Sequence, residues 1–169
     1  MTASPQMIQP PAFALDPSQS GLELARRWIE TVWPGGFVNR LAARPVEAAE
    51  GFMRVECEVD PGHSNFVGLV HGGVTAALVD IVGGGAAMTL LKPGEFLLST
   101  DLSMRFLNAA PIGCGRLIAE GRAVYADPRK VVAEATVSTP DGLTIAHGSA
   151  AIAIRVRRQA SGRLSRPEA

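Results

Sequence analysis

The sequence predicts an α+β domain in which an antiparallel sheet of about five to six strands curls around one long hydrophobic helix. Three observations carry that expectation. Residues Val74 to Leu91 form an apolar run whose single charge is Asp80. Period-two alternation flanks this run, at Met53, Val55, Cys57 and Val59 before it and from Leu98 to Phe106 after it. Turn signals at Gly113 to Gly115, Asp127-Pro128 and Pro140-Asp141-Gly142 divide the remaining chain into four strand candidates. Connections of hairpin length make those strands antiparallel neighbours.

Taken in order, residues 1–17 contain four prolines without a clear period and read as a flexible arm ahead of a domain spanning 18–156. Ser18 or Ser20 then caps an extra N-terminal helix, along which Leu22, Ala25, Ile29, Val32 and Trp33 recur at helical spacing until Pro34-Gly35-Gly36. Phe37 to Ala48 reads weakly as a strand. The next strand has one wet face, because Arg54, Glu56, Glu58 and Asp60 alternate with its apolar residues. Pro61 to Val70 is a loop, and the helix from Gly72 to Leu91 is closed by Lys92-Pro93-Gly94. In the following strand Leu98, Thr100, Leu102, Met104 and Phe106 share one face, opposite Ser99, Asp101, Ser103 and Arg105. Residues 157–169 form a basic tail that reads as a solvated, disordered end.

Sixteen Lys and Arg balance sixteen Asp and Glu in 169 residues, so no overall electrostatic footprint for nucleic acid is expected. The first twenty residues carry no Lys or Arg, which does not support a secretory signal. Asp80 and Gly83 to Gly85 within the long apolar run argue against a membrane span, and a cytoplasmic location is expected. Cys57 and Cys114 lack partners at ligand spacing and read as reduced thiols, with no metal and no cofactor. No GxSxG, GxxxxGK[ST] or HExxH pattern occurs.

What stands out is Asn65-Phe66-Val67-Gly68-Leu69-Val70-His71-Gly72-Gly73, which runs directly into the helix bearing Asp80. A carboxylate on a core helix is costly unless partnered or used. It either serves chemistry or is satisfied by Ser or Thr hydroxyls or an Arg. A glycine-bordered helix N-terminus presents unpaired N–H groups and the positive end of the dipole, which suits a carbonyl gaining negative charge. Asp80 would then act as general base or nucleophile. Eight residues at about 1.5 Å each separate Gly72 from Asp80 by about 12 Å, too far for one reacting carbonyl. Chemistry needing both must join two subunits, as an isologous dimer would.

Asn65-x-x-Gly68-x-x-His71-Gly72-Gly73 followed by Asp80 resembles the signature of the PaaI-type hotdog-fold thioesterases. The likeness continues through Ser99-Thr100-Asp101-Leu102 and Phe106-Leu107-Asn108-Ala109-Ala110-Pro111, and covers roughly Ser18 to Arg155. The resemblance implies a hotdog fold and hydrolysis of acyl-CoA thioesters by a homodimer with shared sites, or by a homotetramer. It implies Asp80 as the catalytic carboxylate, the Gly72 amide as the group that polarises the thioester, and His71 as its support. Asn65 would bond the water or the carbonyl, beside Gly73, and Ser99 or its neighbour Thr100 would orient the water. Arg129 and Lys130, in the Asp127-Pro128 turn, are candidates for coenzyme A phosphates.

A thioester suits so sparse a toolkit, because its thiolate, with a pKa of about 8.5, leaves without a strong general acid. His63 and His147 read as loop and strand residues rather than members of a relay. Two alternatives remain open: a non-catalytic acyl-CoA binding protein of the same fold, and an acyl-thioester dehydratase or hydratase.

Overall fold

A computed structural model describes residues 16–31 and 36–156. Residues 1–15 of the predicted arm, residues 32–35 and the basic tail lie outside the described residues. Helix α1 spans Gly21–Glu30, with Ser20 and Glu23 forming a reciprocal capping box at its start. It stops earlier than its periodicity predicts: Thr31 is already extended and its N–H donates to the Arg27 carbonyl.

Phe37 to Arg40 is not part of a strand. Gly36–Arg40 makes a short helical turn, α2, and the half-buried Val38 packs against the core. Ala42 then takes a positive φ of 51° and redirects the chain into strand β1, Ala43–Ala49. Pro45 is tolerated there because β1 is an edge strand and has a register shift at this point. Strand β2, Phe52–Glu58, follows with its alternation as expected.

The long helix, α3, covers Gly72–Met88, three residues shorter than predicted. Its end is tightened by bonds from Leu90 N–H to the Ala87 carbonyl and from Leu91 N–H to that of Met88. The Thr89 hydroxyl donates to the Ala86 carbonyl and accepts from Gly51 N–H, so the terminus is satisfied internally.

Strands β3 (Glu95–Phe106), β4 (Arg116–Asp127), β5 (Lys130–Ser138) and β6 (Thr144–Val156) complete one antiparallel sheet of six strands, ordered β1-β2-β4-β5-β6-β3. The sheet wraps α3, whose Leu78, Val79 and Val82 are fully buried against Met53, Val55, Leu117 and Val137. Its outer face is polar, with Arg54 between Glu47 and Glu120 and Glu56 between Arg44 and Arg116.

The predicted single alternation along β3 is broken. A bulge between Ser99 and Asp101 inserts one residue opposite β6. Ser99 pairs with Ile152 and Leu102 with Ala150, and both partners are fully buried on the helix-facing side. The alternation therefore changes phase at Thr100: Ser99 joins Leu102, Met104 and Phe106 on the face towards α3, and Leu98 falls on the outer face, 55% exposed.

Candidate active site

Two groups of residues assemble from α3 and its surroundings, one at each half of the helix. At the N-terminus His71 is the N-cap, and its Nδ1 accepts a hydrogen bond of 2.9 Å from Gly73 N–H. That bond turns the other ring nitrogen outward and occupies the Gly73 amide. Gly72 N–H, one residue earlier, has no acceptor among the described residues. A side chain at Gly72 would press on the ring of Phe106, whose atoms lie 3.1 Å from an ideal Cβ.

The preceding loop is folded by Asn65. Its Oδ1 accepts from Val67 N–H and Leu69 N–H, each at 3.0 Å, which leaves Nδ2 to serve as a donor. His63 is buried and accepts at Nδ1 from Asp60 N–H, while its carbonyl accepts from His71 N–H. It is thus a structural support of the loop. Asn65 and Gly72 line one cavity of about 340 Å³ together with Phe106, Leu107 and Asn108.

Asp80 sits in the middle of α3, half-buried rather than enclosed. The Ser99 hydroxyl donates to its Oδ1 at 2.7 Å, and the β3 bulge is what turns Ser99 towards the helix. Thr100 instead donates to the Ala151 carbonyl at 3.0 Å, away from Asp80. Asp80 and Ser99 stand at a second, largely apolar cavity of about 660 Å³. Its walls include Leu24 and Trp28 of α1 and Gly84 and Met88 of α3. The two cavities have no lining residue in common, so a single chain keeps the Gly72 amide apart from the Asp80 carboxylate.

Arg129 and Lys130 are exposed on the β4–β5 turn, where Asp127 Oδ1 accepts from both of their backbone N–H groups. Lys130 pairs with Ala153, which pairs with Leu98, so this turn lies two strands from β3 beside the row that holds Ser99. Cys57 offers no rival nucleophile: burial pushes its thiol up to about 11, and Sγ donates to the Leu41 carbonyl.

The cavity wall built by α1 was not evident in the sequence, where α1 showed only an apolar stripe without a stated partner. The glycine run was visible, and its members have different neighbours. An ideal Cβ at Gly83 would meet that of Ala150 at 2.8 Å, and one at Gly85 would meet Met53 Cγ at 2.7 Å, while Gly84 faces the large cavity.

The family model described as "Thioesterase superfamily" matches residues 67–146. Acyl-coenzyme A thioesterase 13 of Homo sapiens is 36% identical over 70 residues, which cover 40% of this chain and 48% of that protein. The chain thus spans about half the length of this relative. A protein of Halobacterium salinarum named as a candidate esterase is 34% identical over 110 residues, covering 62% of this chain and 71% of the relative. Among solved structures, a thioesterase family protein from Silicibacter pomeroyi superposes with a TM-score of 0.70 at 22% identity, over 79% of this chain and 96% of that one. A hypothetical thioesterase from Streptococcus pneumoniae, solved with coenzyme A, gives a TM-score of 0.62 at 19% identity, over 69% and 88%. These superpositions show the hotdog fold.

Proposed function

The chain belongs to the thioesterase superfamily, and from that membership we propose that it hydrolyses acyl-CoA thioesters to a free acid and coenzyme A. The observation that carries the reading is the Asp80–Ser99 pair at the head of a large apolar cavity, a carboxylate held by a hydroxyl beside space for an acyl group. The Asn65 to Gly73 pattern supports the finer assignment to the PaaI-type group.

In the base route Asp80 takes a proton from water as the water oxygen bonds to the thioester carbon. The carbonyl π pair moves onto oxygen, where the Gly72 N–H and Asn65 Nδ2 of the neighbouring subunit stabilise the charge. Collapse restores the C=O bond and breaks C–S, and the departing thiolate takes up the proton from Asp80. In the nucleophile route the carboxylate itself attacks, C–S breaks with coenzyme A leaving as its thiolate, and water then attacks the Asp80 Cγ of the anhydride, releasing the acid and passing its proton to the thiolate. A single turnover in ¹⁸O-labelled water distinguishes them, since only the second route leaves label in Asp80.

The homodimer is supported by the separation of the two cavities within one chain and by edge strand β3, which exposes Leu98, Leu102 and Phe106. Pairing of two such dimers would give the tetramer. Release of free thiol from a panel of straight-chain and aryl acyl-CoA esters tests the function. Binding without thiol release would indicate the non-catalytic protein, and loss or gain of water across a C=C bond would indicate the dehydratase or hydratase.

A further inference from the structure

The large cavity has a distal end that the proposed chemistry does not use. Gln19, in the segment leading into α1, lines it, and its side-chain Oε1 is buried with no hydrogen-bond donor among the described residues. Leaving a buried amide oxygen unpaired is costly, and a site keeps such a group at little loss when a ligand satisfies it. This end of the cavity is fixed in place, because Gly21 N–H donates to the Leu91 carbonyl at 2.8 Å and holds the start of α1 against the chain just beyond α3. Asp80 lies eight residues before Met88, so about 12 Å of helix separates the carboxylate from that end.

The hydroxyl and the other carboxylates at that cavity are acceptors or are already spent. Ser99 gives its proton to Asp80, Asp16 accepts from Ser18, and Glu95 accepts from Lys92 N–H. No Lys, Arg or His is among the described residues that line it.

We propose that Gln19 is a specificity-determining residue whose Oε1 accepts a hydrogen bond from the far end of the acyl group. The preferred acyl groups are then apolar along their length and terminate in a hydroxyl or an amide N–H. Acyl groups ending in a carboxylate are rejected, since they would bring a further negative charge towards Asp16 and Glu95 with no cation among the described lining residues to pair with. This assignment rests on the thioesterase reading for the identity of the ligand, and on the orphaned oxygen for its selectivity.

The test compares hexanoyl-, octanoyl- and decanoyl-CoA with their ω-hydroxy counterparts and with the ω-carboxy thioester of matching length. Wild-type protein should show the highest kcat/KM for an ω-hydroxy member and the lowest for the ω-carboxy one. Gln19→Met keeps the length of the side chain and removes the acceptor. It should lower the hydroxyl-to-alkyl ratio of kcat/KM by about tenfold. An unchanged ratio in Gln19→Met, or a wild-type preference for the ω-carboxy thioester, overturns the assignment. Should the variant fail to fold, a wild-type ratio that does not favour the hydroxyl overturns it equally. Turnover of the alkyl esters tests the hydrolase reading separately. If none is hydrolysed, calorimetric titration with the corresponding thioethers gives the same ratio from binding alone.

Discussion

The hydroxyl of Ser99 donates to Oδ1 of Asp80, and both residues line the large cavity, so the proposed base or nucleophile is held by one hydrogen bond at its edge. Asp80→Asn preserves shape and size, and kcat should fall by about 100-fold or more with fold and assembly unchanged. Near wild-type turnover in a folded variant would remove Asp80 from the chemistry. Ser99→Ala should lower kcat by about tenfold or less, whereas Thr100→Ala should leave it nearly unaltered, since Thr100 bonds to the Ala151 carbonyl. A damaging Thr100→Ala would mean that the bulge lies elsewhere in solution. Asp80 stands out in the sequence as a candidate because it is the lone charge in its apolar run. The choice between Ser99 and Thr100 was not legible there, since nothing in Ser99-Thr100-Asp101 marks a bulge and unbroken alternation assigns Ser99 to the wrong face. Gln19 was invisible for a different reason: only the packing of α1 reveals that its oxygen is enclosed.

Helix α3 can lie close to the sheet because small residues meet where they cross. An ideal Cβ on Gly121 of β4 would clash with the Val82 carbonyl oxygen, a backbone atom that cannot swing aside. Gly121→Ala should therefore destabilise the protein by about 1–3 kcal/mol or more, read as a drop in the denaturant midpoint. Gly84→Ala should behave oppositely, because its Cβ would find Leu97 Cδ1 at 3.9 Å, an ordinary contact, and a helix interior favours Ala over Gly by about 1 kcal/mol. The added methyl projects into the large cavity, so the preferred acyl length should shorten while stability is kept. A chain-length profile identical to wild type would separate the cavity from acyl binding. The turn carrying Arg129 and Lys130 supplies another test. Replacing both with Ala should raise KM for an acyl-CoA and spare the matching acyl-pantetheine, which lacks the distal phosphates. Equal effects on both substrates would make the two residues structural. The existence and type of these elements followed from periodicity and turn chemistry. Their ends did not, because Thr31, Ala42 and Thr89 set them through local backbone bonds and dihedrals rather than through hydropathy.

The separation of the two cavities turns a geometric expectation into a test of the assembly. Gly72 and Asp80 stand about 12 Å apart along α3, and each faces its own cavity, so a site that uses both must draw them from different copies of the chain. Gly72→Pro removes the proposed N–H donor with little threat to the fold. The position is the first of the helix, where proline is favoured, and His71 already has the extended ψ of 136° that a following proline demands. The nearby Phe106 ring is more than half exposed and has room to yield. Homodimers of Gly72→Pro and of Asp80→Asn should each be nearly inactive, because every site carries a lesion. Subunit exchange between them should produce heterodimers in which one site combines both lesions and the other has neither. Activity should then rise towards one intact site per heterodimer, in proportion to the heterodimer measured by native mass spectrometry. Confirmed exchange with activity still at the level of the parents would make each site the property of one chain. In that case the oxyanion would have to be stabilised by donors near Asp80 itself, and the Ser99 hydroxyl, already committed to the carboxylate, would be a poor replacement.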